Sequence, residues 1–353
     1  MRNRLSVFLL LPFFSFVCIN CNILDDSGKN APTSQVSNPT HPANGHYAGL
    51  MDKYTAKGIP GIAIGVDYSV EGTWIGVGGK ADLSTGEDVQ FNSVFNAAAV
   101  SHFFLSVITL QLIEEDKLEL TRYIGYYLSN EQKKYIINAS FVTIEHLMHH
   151  SSGLYDYSQD VDFVIAVMSN PEKKWKAGDI LPFVYGKEAD DDGWGAPYAA
   201  TNDILLQLCI EKIEGKPLDQ VVEERIVTPL GLTHTWFGYD SVKDGPVKSY
   251  LSFAEGELVE NTSILVGYYT GEAGVFSTVS DICAFFRDLL NGSAGHLLED
   301  DSLPLMPEMD DYIYSPSFTS WVKVEFGDIY VVLYNAGLGS LGDLIEEIED
   351  EFL

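Results

Sequence analysis

Residues 95–120 read FNAAAVSHFFLSVITLQLIEEDKLEL, and from Ala97 to Ile113 the run is apolar on nearly every side. That pattern predicts a helix buried at the centre of the fold, because a surface helix keeps one polar face. Upstream, a helix from Tyr47 leads into Ile59-Pro60-Gly61, followed by the β-rich run Ile62 to Val66 and a second run from Trp74 to Val77. Gly72 lies between the two runs, and Gly78 and Gly79 are read as closing the second, which predicts a hairpin. Downstream, Ile204 to Ile213 and Asp281 to Leu290 repeat with helical period, and Ile329 to Leu333 is a short apolar strand. Leu344, Ile345, Ile348 and Phe352 fall at helical spacing and predict a closing amphipathic helix.

The 353 residues carry 51 acids against 21 bases, a formal charge of −30, which excludes nucleic acid or an anionic lipid surface as the main partner. With 46% apolar and 20% charged residues the chain has the composition of a globular protein rather than a disordered one. The acids cluster at Asp190–Asp192, Glu299–Asp301 and Glu346–Glu351. None of these runs has the alternating oxygen ligands, central Gly and distal Glu of a calcium loop, so they read as solvated faces.

Residues 1–20 read as an export signal. Arg2 and Arg4 precede an apolar run from Leu5 to Ile19 that Pro12 interrupts, and the run falls short of the roughly 20 residues of a membrane span. Its ending, Phe16-Val17-Cys18-Ile19-Asn20-Cys21, resembles a relaxed bacterial lipobox with Cys21 as the lipidated residue, although Asn20 stands where Gly or Ala is usual. The expected product is an exported lipoprotein held to a bacterial envelope membrane, periplasmic or at the surface; a plain signal peptide cut nearby is the alternative. Residues 21–46, rich in Asn, Ser, Pro, Thr and Gly, read as a flexible tether, and residues 47–353 as the folded domain. Cys209 and Cys283 sit in apolar helical contexts and read as buried small side chains, with a bond between them left open.

The opening stretch resembles the F-x-x-x-S-x-x-K helix of serine β-lactamases, DD-peptidases and related esterases, continued by that family's QL-x-EE-G-KL-x-L tail. Gln111, Leu112, Glu114, Glu115, Lys117, Leu118 and Leu120 hold the register. Three more segments resemble the family in the same order: Val142 to Leu154 (ITIRHLLTHTSGL), Thr228 to Thr235 (KPLGMTHT) and Ala273 to Thr278 (AGGLxST). The resemblance implies an α+β fold, an antiparallel sheet flanked by helices plus a helical lobe. It implies no cofactor and no metal.

The same register implies that the chemistry is missing. Ala99 stands where the family has its attacking serine and His102 where it has its lysine. A methyl group cannot attack a carbonyl, so a base at His102 has no proton to accept. In the Tyr-x-Asn motif, anchored on Glu211 to Gly215, Tyr198 remains and the asparagine is Ala200. In the strand motif HGGxxPGFxS, held by Pro316, Phe318 and Ser320, the basic residue becomes Asp311 and glycines become Tyr312, Ile313 and Ser317. Tyr198 and His102 are left as possible ligand contacts.

Other candidates fail on spacing. Ser101 neighbours His102 on a helix, where consecutive residues diverge. Ser320 and Lys323 form a literal S-x-x-K, but in a strand an odd offset sends them to opposite faces. His146, His149 and His150 have helical spacing that can bind zinc, yet two of them coincide with structural histidines of the family the chain resembles. The expectation is a catalytically inactive envelope protein that binds a peptide, a glycopeptide or another protein. The alternatives are an active hydrolase rebuilt around His102 and Tyr198, and a structural envelope lipoprotein.

Overall fold

The computed structural model describes residues 34–98, 100–171, 173–189, 198–243, 245–252, 258–262, 270–291, 297–299, 301–307, 313–314, 319–325 and 327–336. The export signal, Cys21, Ala99, Asp311, Ser317 and the closing helix expected near Phe352 lie outside them.

The main sheet is antiparallel throughout. Its strands are β1 (Gln35–Val36), β2 (Gly61–Tyr68), β3 (Gly72–Asp82) and β4 (Glu87–Asp88), then, from the far end of the chain, β10 (Ile313–Tyr314), β11 (Thr319–Glu325) and β12 (Asp328–Tyr334). They run in the order β1-β3-β2-β12-β11-β10, with β4 on β3. Tyr68 pairs with Gly72 across the expected hairpin, and Gly72 supplies the left-handed φ of 82° that its turn needs.

Alternate residues of the strands serve two cores. Ile62, Ile64, Val66, Trp74, Val332 and Tyr334 pack under helix α1 (Asn44–Lys57), which buries Tyr47, Leu50, Met51 and Tyr54. Each such side chain contributes about 1.5–3 kcal/mol. The helix stops where Gly58 turns left-handed and its N–H reaches back to the carbonyls of Thr55 and Tyr54. Ala63, Ile75, Val77, Val331 and Leu333 face the other, larger core. There helix α2 (Val100–Glu114) is buried on every side, as its apolar run predicts. Gly65 lets helix α5 (Val279–Asn291) lie against the sheet: a Cβ there would stand 2.7 Å from Cys283 Sγ and 2.8 Å from a Val279 methyl. Cys209 and Cys283 are both free and buried.

Two boundaries differ from expectation. The described part of the stretch read as a tether is built into the fold: Gln35 and Val36 add an edge strand to β3, and His41 and Ala43 are buried ahead of α1. Few apolar residues are needed for this, because the exposed backbone of β3 supplies the pairing. Strand β3 also runs through Gly78 and Gly79 to Asp82, since Gly61 and Gly79 are paired and Lys80 N–H donates to Pro60 O at 2.5 Å.

A second, three-stranded sheet joins segments far apart in sequence. It comprises β5 (Phe95–Asn96), β6 (Trp236–Phe237) and β9 (Val275–Ser277), in the order β5-β9-β6. A short hairpin of β7 (Tyr250–Ser252) and β8 (Leu258–Glu260) lies apart from both sheets in pairing. Helices α3 (Ile144–Met148) and α4 (Thr201–Glu214) complete the elements around the site.

Candidate functional site

Helix α2 starts one residue after Ala99, at a tight turn. Ala98 has a φ of 33°, a left-handed value that costs an alanine about 1–3 kcal/mol and must be held by its surroundings. Asn96 does the holding: its Oδ1 accepts the Ala98 N–H at 3.1 Å and its Nδ2 donates to Ala273 O at 2.8 Å. Ser101 Oγ donates to Ala98 O and accepts from Val275 N–H at 2.9 Å. That hydroxyl is buried and fastens α2 to β9. Ser320 Oγ, also buried, donates to Ala97 O at 3.0 Å, while Lys323 pairs with Glu325 at 3.1 Å. Both serines are structural.

His102 lies in the first turn of α2 and is 7% exposed. Its Nδ1–H donates to Asp203 Oδ1 at 2.6 Å and its Nε2–H donates to Met148 O at 2.8 Å. With both nitrogens committed, His102 is not presented to an organic ligand. Its reading as a possible ligand contact rested on spacing along α2, which says nothing about these partners on α3 and α4.

Asp203 sits in the first turn of α4, fully buried, where the helix dipole favours a carboxylate. Burial pushes its pKa up, but the His102 and His150 rings outweigh that and hold it below the ordinary carboxylate value. The third member is His150, just past the end of α3 with a φ of 45°. Its Nε2 lies 3.2 Å from His102 Nδ1 and 3.5 Å from Asp203 Oδ2. Its Nδ1 lies 3.2 Å from Ala199 O and 3.0 Å from the Asn202 amide, whose Oδ1 accepts from Ser152 Oγ at 2.5 Å. Burial lowers the His150 pKa to about 4, so the ring is neutral at physiological pH.

Around this trio stand Tyr198, Ala200, Asp156 and Glu272. The Tyr198 ring stacks on His150 with centroids 4.3 Å apart, and the residue is 52% exposed. Ala200 is buried at the head of α4, and its N–H donates to Asp156 Oδ1 at 3.2 Å. Burial, and next the charge of Asp203, raise the Glu272 pKa well above the carboxylate range; its oxygens accept from Tyr157 OH at 3.0 and 3.2 Å. Of the strand motif, the backbone of Ile313 is described, on edge strand β10 opposite Ser320.

The histidine run noted in the sequence separates. His146 turns its Nδ1 to accept the Thr143 N–H in a capping box, while His150 turns to α4. Among the described residues, the group able to hold a metal is instead His102, His150 and Asp203, with their ligand atoms within 4.8 Å of one another. Asp203 was missed. Its signal was an acid set directly before the apolar run Ile204-Leu205-Leu206 at the head of a buried helix.

The β-lactamase family profile matches residues 46–320, more than three quarters of the chain. The chain belongs to the β-lactamase family. A protein of Escherichia coli O157:H7 that carries the name D-alanyl-D-alanine carboxypeptidase is 26% identical over 227 residues, covering 57% of this chain and 51% of that protein. The teichoic acid D-alanine hydrolase of Staphylococcus aureus is 24% identical over 273 residues, covering 73% of this chain and 63% of its own length. The chain therefore spans about half to two thirds of the length of these relatives. A penicillin-binding protein from Bacillus halodurans shares the fold, with a TM-score of 0.69 at 21% identity, covering 86% of this chain and 99% of that one.

Proposed function

We propose that this β-lactamase-family protein is a non-catalytic binding protein of the bacterial envelope, exported and lipid-anchored at Cys21, that recognises D-alanyl groups of an envelope polymer without cleaving them. The observation that carries the reading is the state of His102. The residue in the lysine position is buried and hydrogen-bonded through both ring nitrogens, to Asp203 and to Met148 O. A group so committed has no lone pair with which to activate a hydroxyl. The sequence supplies no hydroxyl at Ala99, and Ser101 and Ser320 are spent on backbone carbonyls. The D-alanyl ligand class is taken from the relatives, both of which are named for D-alanine chemistry. The exposed Tyr198 ring supplies a surface for such a ligand.

The test is equilibrium binding of a D-alanyl-D-alanine peptide and of D-alanylated teichoic acid, with recovered ligand weighed by mass spectrometry. Saturable binding, weakened by Tyr198→Ala, with the ligand recovered whole, is the expected result. Free D-alanine appearing faster than in buffer overturns the reading.

A further inference from the structure

The geometry points to a metal site: His102 Nδ1, His150 Nε2 and Asp203 carboxylate form a three-ligand site for a divalent first-row transition ion, with Zn²⁺ the first choice. The inference deepens the non-catalytic reading above, from which it takes that His102 does not serve a serine. Three observations carry it.

The first is spacing. Ligands about 2.0–2.1 Å from a tetrahedral zinc stand about 3.3–3.4 Å from one another. His150 Nε2 lies 3.2 Å from His102 Nδ1 and 3.5 Å from Asp203 Oδ2. The other oxygen of the same carboxylate, Asp203 Oδ1, makes a contact of hydrogen-bond length with His102 Nδ1, at 2.6 Å. That contact need open by less than about 1 Å once the proton between the two atoms leaves.

The second is an outer shell. A metal-bound imidazole almost always donates its other N–H to a carbonyl or carboxylate, which fixes the tautomer and aims the lone pair. Here His102 Nε2–H donates to Met148 O at 2.8 Å, and Ala199 O lies 3.2 Å from His150 Nδ1. Metal binding selects the His150 tautomer in which Nδ1–H donates to that carbonyl, and the Asn202 amide, whose Nδ2 lies 3.0 Å from Nδ1 in the metal-free protein, must turn its oxygen toward the ring. Two rings from different elements are thus each backed by a backbone acceptor.

The third is an orphan. Among the described residues Asp203 Oδ2, in a fully buried side chain, has no hydrogen-bond partner, and His150 Nε2 stands 3.5 Å from it. A buried carboxylate oxygen left unsatisfied costs stability, and a cation at this point satisfies it. The two imidazoles and one carboxylate suit zinc and its neighbours rather than magnesium or calcium. They leave at least one coordination position for water or a ligand's carboxylate.

The proton balance is simple. In the metal-free protein a proton lies between His102 Nδ1 and Asp203 Oδ1, which are 2.6 Å apart. The ion displaces the His102 Nδ1 proton, so each ion bound releases one proton to solvent.

The full chain, made without a histidine tag and stripped with chelator, is titrated with Co²⁺, and visible absorption is followed together with proton release in weakly buffered solution. The expected result is one Co²⁺ per chain, the intense visible band of a four-coordinate site without a thiolate charge-transfer band, and about one proton released. His150→Gln should weaken Co²⁺ binding by roughly a hundredfold or more, given that outer-shell changes alone cost 10–100-fold. His150 is the most exposed of the three and stands outside the direct His102–Asp203 contact, so this variant keeps that buried pair and tests the site without unfolding it; circular dichroism checks that it is folded. Absence of stoichiometric uptake, uptake that His150→Gln leaves unchanged, or a thiolate band placing the ion on Cys209 or Cys283 each overturns the metal site. Fluorophosphonate labelling of the same samples is read separately: unlabelled protein that takes up no Co²⁺ sinks the metal site alone, and labelled protein sinks the non-catalytic reading.

Discussion

Replacing Asp203 with Asn removes one charge from a buried pair and leaves an oxygen in place to accept from His102. At the observed 2.6 Å, and with an effective dielectric of about 20, the direct attraction is about 6 kcal/mol before the cost of burying both ions is subtracted. Removing one member of a buried pair typically costs about 3–5 kcal/mol, because the survivor is left charged without a partner. The asparagine side chain would keep the hydrogen bond in weakened form and His102 can shed its extra proton, so we expect the lower end, about 3 kcal/mol. His102→Gln should cost a similar amount by stranding Asp203, and the double variant should cost scarcely more than either, a coupling of about 2 kcal/mol or more. The assay is equilibrium urea unfolding followed by tryptophan fluorescence, in chelator so that no ion occupies the trio, near neutral pH. A loss below about 0.5 kcal/mol for Asp203→Asn, or additivity of the two substitutions to within about 0.5 kcal/mol, refutes the pairing on which the site is built.

Glu272→Gln should stabilise the protein at neutral pH, because the folded state keeps this buried carboxyl protonated while the unfolded chain ionises it above about 4.5. The gain must shrink to nothing as pH falls through that value, where both states are protonated; a pH-independent effect in thermal melts across that range counts against the burial argument. Gly79→Ala combines a left-handed φ of 77° with a Cβ that would stand 2.2 Å from Pro60 O, and should lower stability by about 3 kcal/mol or more in urea unfolding. Arg225→Lys gives up a fork in which Nη1 and Nη2 bind the two Glu115 oxygens at 2.8 and 3.0 Å and Nη2 also reaches Glu214 at 3.0 Å. The loss should be about 1 kcal/mol and fade in high salt, as a partly exposed pair is screened.

Much of the fold was legible because period and burial agree. The run Ala97 to Ile113 had no polar face, and α2 is buried on every side. The hairpin of β2 and β3 followed from two β-rich runs parted by Gly72. The order of segments around Val142, Thr228 and Ala273 carried the family, because no single motif is needed when four fall in sequence. What was not legible depends on contacts between elements. The edge strand at Gln35 and Val36 has no apolar signal, since backbone pairing rather than side-chain burial places it. The trio draws one residue each from α2, the turn after α3, and α4. Sequence spacing had grouped His150 with His146 and His149, whereas a left-handed backbone turns His150 to face Asp203 instead.

Intact-mass spectrometry of the purified protein after incubation with a fluorophosphonate and with a β-lactam tests the central claim most directly. An acyl or phosphonyl adduct requires a nucleophilic hydroxyl with a base beside it. The hydroxyls of Ser101 and Ser320 are both committed to backbone carbonyls, and both nitrogens of His102 are engaged. The predicted result is an unshifted mass with both reagents at every time point. A stoichiometric adduct that peptide mapping assigns to a residue of segment 95–120 contradicts the account.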